Sequence, residues 1–461
     1  MAVRKQDRNE NALALMRVDV LDPGARVRSG RVACTINHDL TFSTEHLESY
    51  CLREWEPVIY DALVVTAAVE FCDRISNRPV QQWGRDIELR IPVHEPERWS
   101  AKPVSSALHD VLCFLTGDRW SLSFVERRAA FTTPRQVPIE IQSDIDAVIP
   151  FSDGLDSLAV AGLMRKEMGD RLIRVRLGTK RFKRVIPEEK QPFTSVPYKV
   201  KESSIRFVES SARSRGFKFA MASGLAAYLV QANQIIVTES GQGALGPALV
   251  PVGQTYEDYR NHPLFTERME RLLAALYGRR MCFAYPRLWY TKGETLAAFI
   301  KECRDGSSWS ETWSCWQRND KVSVAGHKRQ CGACAACILR RMSIHAAGLT
   351  ENPRTYVWEQ LTAASFEEGA AKEFKHVTNA QREYAIAGTL HLEHLAGLQH
   401  DDVNQGTINL AASQLASSQR LQVTDVRARL DRLLEQHASE WRCFVASLGA
   451  SSFVATWAAQ S

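Results

Sequence analysis

The chain has 461 residues, of which 45% are hydrophobic and 24% charged, with a net charge of +5 at pH 7. That composition can bury a substantial core and excludes a disordered polymer, and the length suggests about three domains. The mild positive charge is well short of a dedicated nucleic-acid binder. Eleven cysteines, an odd number and mostly scattered, are not a disulfide framework.

Met1–Glu10 carries charge with no apolar run behind it, so it is not read as a secretory signal. The expected location is the cytoplasm, with thiols reduced. The longest apolar stretch, Ala62–Val69, is flanked by Asp61 and Glu70. It is far short of the ~18 apolar residues of a membrane span.

Residues 1–144 read as an N-terminal α+β accessory domain. Glu56–Arg74 is a predicted helix with Pro57 at its start. Asp86–Val93 alternates like a half-buried strand, Ser105–Leu115 is a second helix, and Trp120–Val125 is another strand. Thr132–Pro138 marks a boundary. His94 and His109 are isolated, and packing explains them better than metal binding.

Beyond the boundary the pattern changes. Ile145–Pro150 is a mostly apolar strand, followed by the small-residue turn Ser152-Asp153-Gly154-Leu155-Asp156-Ser157. Next comes a helix through Met168, with Val160, Leu163, Met164 and Met168 on one face. Arg171–Leu177 and Gln234–Glu239 read as further strands and Lys218–Gln231 as a helix. Alternation of this kind predicts a parallel, doubly wound α/β sheet, with ligands at the carboxyl ends of its strands. A strand, tight turn and helix aim backbone N–H groups at a phosphate. An ordinary Ser/Asp/Gly turn is the plainer alternative. Lys180–Arg184 is a basic run that either meets phosphates or forms a solvated face.

Further on lie Cys315 and then Cys331-Gly-Ala-Cys334-Ala-Ala-Cys337. Four thiolates with regular spacing suit a closed tetrahedral Zn²⁺ site. A [4Fe–4S] cluster uses similar runs, His327 is an alternative ligand, and Cys315 is the ligand most distant in sequence.

Residues 351–461 read as a C-terminal helical region. Thr424 is the expected N-cap of a helix whose apolar face is Val426, Leu430, Leu433, Leu434, His437, Trp441 and Val445. His391 and His394 share a helix face, but no third ligand is evident.

The Ser152–Ser157 turn resembles the PP-loop, Ser-Gly-Gly-x-Asp-Ser, of the ATP pyrophosphatases. Asp153 stands where that pattern has its first Gly. Asp tolerates positive φ, so the turn is expected to form, with Mg²⁺ relieving the added charge. A loop of this kind followed by Cys…Cys-Gly-x-Cys-x-x-Cys is similar to the 7-cyano-7-deazaguanine synthase (QueC-type) family. Arg215–Phe219, Gln234–Gly241, Tyr285–Thr295 and Glu311–Cys315 resemble intermediate segments of the family in the same order. The resemblance covers residues 145–350, the expected PP-loop domain.

The resemblance implies an ATP-dependent, C–N bond-forming ligase that adenylates a 7-deazaguanine carboxylate and releases pyrophosphate, for attack by an amine. Ser152, Asp153, Gly154, Leu155, Asp156 and Ser157 would bind ATP, with Asp156 positioning Mg²⁺. Asp156, Ser157, Arg215 and Lys292 would act on the reacting groups, the last two as cations facing phosphate or carboxylate. Cys315, Cys331, Cys334 and Cys337 would hold a structural Zn²⁺. The long flanking regions suggest a large target, a partner protein, as in elaborated QueC-like components of bacterial anti-phage defence such as the Qat system. A PP-loop tRNA-modifying enzyme and a non-catalytic nucleotide-binding scaffold are the competing readings.

Overall fold

The computed structural model of the chain describes residues 15–43, 55–78, 84–130, 144–176, 197–209, 212–253, 256–304, 306–317, 322–375 and 377–460. The expected signal-free start, the Thr132–Pro138 boundary and the Lys180–Arg184 run lie outside them.

The first half builds a four-stranded sheet from β1 (Leu15–Leu21), β2 (Val32–Thr35), β4 (Asp86–Val93) and β5 (Arg119–Glu126), in the order β2-β1-β4-β5. Every pairing in it is parallel. This corrects the α+β expectation, because the sheet is wholly parallel and helices precede β4 and β5. Parallel neighbours need crossovers, and α1 (Pro57–Ile75) and α2 (Lys102–Thr116) lie between the strands they join. Proline in the first turn suits both helices, since N–H groups there have no intrahelical acceptor. A short β3 (Leu40–Phe42) pairs antiparallel with β8 (Tyr198–Val200) and ties this sheet to the next region.

The second sheet has the order β10-β9-β6-β7, with all pairings parallel. Its strands are β6 (Ala147–Phe151), β7 (Leu172–Arg176), β9 (Gln234–Ile236) and β10 (Cys282–Ala284). Side chains alternate across it. Ala147 and Ile149 pack with Val160, Ala161 and Met164 of α3 (Leu155–Met168). Val148, Ile173, Val175 and Ile235 face the opposite way, in one cluster with Phe217, Met221 and Leu225 of α4 (Arg215–Leu229). Both faces are thus covered, as a parallel sheet requires. The same cluster runs through Val18, Leu89 and Leu108 to Leu272 of α5 (Pro263–Tyr277), so the two sheets share one apolar core.

α6 (Lys292–Cys303) packs beside α3 and against α7 (Ala335–Ala346). Around these lie β11 (Ser323–Val324), β12 (His327–Lys328), α8 (Asn379–Gly397), α9 (Gln405–Gln419), α10 (Val423–Leu448) and α11 (Phe453–Ala458). The α10 face is buried as read from the sequence, from Val426 to Trp441. Its N-cap, however, is Gln422 and not Thr424, because the chain is already helical at Val423 after the left-handed turn at Arg420. No described helix is long and apolar enough to cross a membrane.

Candidate active site and metal centre

The turn after β6 sits at the carboxyl edge of the second sheet. Ser157 Oγ lies 2.9 Å from Ser152 Oγ and 3.3 Å from Thr238 Oγ1 just past β9, and Gly154 N donates to Ser152 Oγ at 3.2 Å. These hydroxyls close the turn on itself. A Cβ on Gly154 would lie 3.1 Å from Ser152 Oγ and press on the hydroxyl that closes the turn. Asp153 does not use positive φ, so the conformational tolerance expected of it is not needed. Leu155 is buried against Leu296 and Phe299 of α6, which anchors the first turn of α3.

Two cations meet the loop carboxylates. Lys292 Nζ forms an ion pair with Asp156 Oδ2, and Arg176 Nη2 forms one with Asp153 Oδ1. All four side chains are largely enclosed, and Asp156 Oδ1, Arg176 Nε and Ser240 Oγ are buried without hydrogen-bond partners. Orphaned polar atoms at a strand edge fit a polar ligand, since burial without a partner is costly. Asp156 Oδ1 in particular suits Mg²⁺, a hard cation that takes oxygen ligands.

Arg215 begins α4 and is exposed, its guanidinium 5.0 Å from the Phe219 ring centre. The next residue, Gly216, packs on Arg260, whose guanidinium grips Asp258 and faces Glu239. Glu239 accepts from Asn261 Nδ2 at 3.0 Å. Burial, reinforced by the neighbouring Asp156 charge and opposed by Lys292 and Arg260, pushes its carboxyl up to about 8. Arg176, Glu239, Asp258, Arg260 and Asn261 were not among the expected site residues. Arg176 and Glu239 had a signal in that they end or follow strands at the ligand edge. Asp258, Arg260 and Asn261 sit in a loop with no such pattern.

Lys292 itself is placed from behind. Thr291 and Glu294 form a capping box at the start of α6. Lys292 N donates to Gln242 Oε1 at 2.8 Å, and Gln242 Nε2 donates to His437 Nδ1 at 2.8 Å. His437 Nε2 in turn reaches Leu392 O at 2.9 Å, so the neutral ring donates there. Burial lowers His437 to about 4, against the pull of the Leu392 carbonyl. Glu440 Oε1 accepts from Thr291 Oγ1 at 2.5 Å and from Gln436 at 3.1 Å. Thus α10 clasps the helix start that carries Lys292.

The four cysteines expected as ligands come together. Cys315, Cys331, Cys334 and Cys337 are buried, with all four Sγ atoms within 4.8 Å of one another. Cys331 and Cys337 Sγ are 3.7 Å apart, close to the ~3.8 Å edge of a tetrahedron with ~2.3 Å Zn–S bonds. Space of this size suits one ion and is tight for a four-iron cluster. His327 is exposed on β12 and is not in the set.

Buried Gln330 explains how distant Cys315 arrives, since its Oε1 accepts from Ser314 N at 2.7 Å and Cys315 N at 3.2 Å. Gly332 has φ +89, and a Cβ there would collide with Tyr356 and the Trp358 carbonyl. The lobe touches the loop directly, because Trp313 N donates to Asp153 O at 2.7 Å. His391, considered as a metal ligand, is instead buried with Nδ1 2.6 Å from Val250 O, while His394 is exposed.

Residues 244–348 match the family described as queuosine biosynthesis protein QueC. The matched segment holds Lys292 and all four cysteines, while the Ser152–Ser157 loop lies before it. It supports a QueC-like, ATP-using enzyme of the PP-loop class, and the mixed α/β fold with its four-cysteine cluster fits such a core. No curated protein and no solved structure matches the chain.

Proposed function

We propose that the protein activates a carboxylate with ATP, forming an acyl adenylate and pyrophosphate, and passes the acyl group to an amine. The observation that carries this is the Lys292–Asp156 pair on the Ser152–Ser157 loop, which joins residues 136 positions apart at the ligand edge. A carboxylate is a poor acyl donor because its leaving group would be oxide. Attack on the α-phosphorus of ATP replaces that group with AMP.

The loop N–H groups, Ser152 and Ser157 would hold the pyrophosphate as its charge grows. Lys292 would shift from Asp156 toward the phosphates, and Asp156 would hold Mg²⁺, which spreads negative charge on the leaving group. Zn²⁺ at Cys315, Cys331, Cys334 and Cys337 would be structural, because four thiolates leave no open position.

The resemblance to the QueC family favours 7-carboxy-7-deazaguanine as the acid and ammonia as acceptor, and the long flanking regions suggest a partner protein's amine as the other acceptor. A role in anti-phage defence belongs to the same proposal and rests on the resemblance and the long flanking regions. The test is pyrophosphate release from Mg-ATP by the full chain, with and without that acid. Release that depends on the acid and disappears in Asp156→Ala supports the reading. No release with any acid overturns it.

A further inference from the structure

We propose that Arg176 is a phosphate-binding cation of the loop and that the Asp153 carboxylate competes with the phosphate for it. The inference rests on the nucleotide reading above and deepens it. Strands β6 and β7 are parallel with Phe151 opposite Arg176, so both chains reach the ligand edge together. Arg176 therefore ends its strand beside the turn that begins at Ser152.

The Arg176 side chain is 9% exposed and that of Asp153 is 17% exposed. Such a pair is sheltered from the screening that weakens surface ion pairs. Nε of Arg176 remains buried with no hydrogen-bond partner. A guanidinium has five N–H donors in a planar fork, and a phosphate engages that fork more fully than the present carboxylate contact does.

Asp153 departs from the glycine expected in a loop of this type, yet its φ is not positive. Its backbone is held separately, through Trp313 N on Asp153 O. The carboxylate can leave Arg176 by side-chain rotation, without unfolding the turn. Asp153 is then a built-in competitor for the anion, setting affinity by an exchange of partners. When phosphate displaces it, the freed carboxylate lies beside the loop, where a divalent cation would offset its charge.

The experiment is calorimetric titration of the full chain with inorganic pyrophosphate and with ATP, each with and without Mg²⁺. Thermal melts of each variant check folding. Asp153→Asn keeps volume and removes the competing charge, so both anions should bind about tenfold more tightly without Mg²⁺. Arg176→Ala should weaken them about a hundredfold by removing the guanidinium that would engage the phosphate. Adding Asp153→Asn to Arg176→Ala should recover part of that loss.

An Asp153→Asn affinity no higher than that of the unaltered protein, which itself binds, overturns the competitor role alone. If neither the protein nor Asp153→Asn binds either anion, the nucleotide site itself fails. Binding that appears only in Asp153→Asn supports the proposal in its strongest form.

Discussion

The Ser152–Ser157 loop and the four-cysteine lobe meet at a backbone hydrogen bond, Trp313 to Asp153, yet are built on opposite principles. In the lobe, three of four sulfurs come from seven consecutive residues, and local spacing sets the geometry. In the loop, six consecutive residues supply the shape, but the charges that balance Asp153 and Asp156 come from Arg176 and Lys292. A metal site can be local because one ion gathers its ligands. The loop's two carboxylates draw their cations from a neighbouring strand and a distant helix, so its electrostatics are set by tertiary structure.

The largest expected effect is on the lobe. Cys337→Ala, or removal of metal by a chelator, should abolish cooperative unfolding of residues around the cluster. Structural Zn²⁺ sites contribute about 10–16 kcal/mol of binding free energy to folding. Mass spectrometry under native conditions should show one Zn²⁺ lost. If the contrast between lobe and loop is right, pyrophosphate binding should fall with it through the Trp313 link.

Lys292→Ala comes next. It leaves Asp156 enclosed without its cation, and removing one partner of a buried pair costs about 3–5 kcal/mol. Denaturant melts should register a loss of that order, and acid-dependent pyrophosphate release should vanish. Retained release would place Lys292 outside the chemistry.

Acid should act on the helical clasp. His437 and His391 are lowered to about 4 and His262 to about 3, each mainly by burial. Their folded values lie below the ordinary ~6.5, so they stay neutral in the folded state while the unfolded chain takes up protons. Stability should therefore hold above pH 6.5 and decline from there to about pH 3, His437 and His391 contributing down to about pH 4. A His437→Gln variant should flatten part of that decline in a series of melts.

The smallest effect concerns Glu239. With its carboxyl raised to about 8, it gains charge as pH passes that value and adds repulsion beside the phosphates. Mg²⁺-free pyrophosphate affinity should fall a fewfold between pH 7 and 9, and Glu239→Gln should remove the dependence. An identical pH profile in the variant would assign the fall to another group.

The same contrast explains what was readable in the sequence. Strand Asp86–Val93 was legible at both ends, because strict alternation marks a half-buried strand. Cys331, Cys334 and Cys337 were legible because ligand spacing is a local property. The α10 stripe was legible through its 3.6-residue period, although its cap was misplaced by two residues. The parallel order of the first sheet was not, since β2 is short and pairing depends on partners far along the chain. Arg176 was marked only as the end of a strand and Gln242 carries no pattern of its own, so their roles exist only once β7, β9 and α10 have met.

The grip of α10 on α6 has a consequence for synthesis. Thr291 and Glu440 are 149 residues apart. A ribosome adding about 5–20 residues per second needs roughly 7–30 s to cover that interval. A nascent chain that already contains the loop, Lys292 and all four cysteines still lacks the clasp that seats Lys292. Competence therefore arrives late in translation, after both sheets have had time to settle, so a truncated translation product would carry the reactive parts without the means to align them.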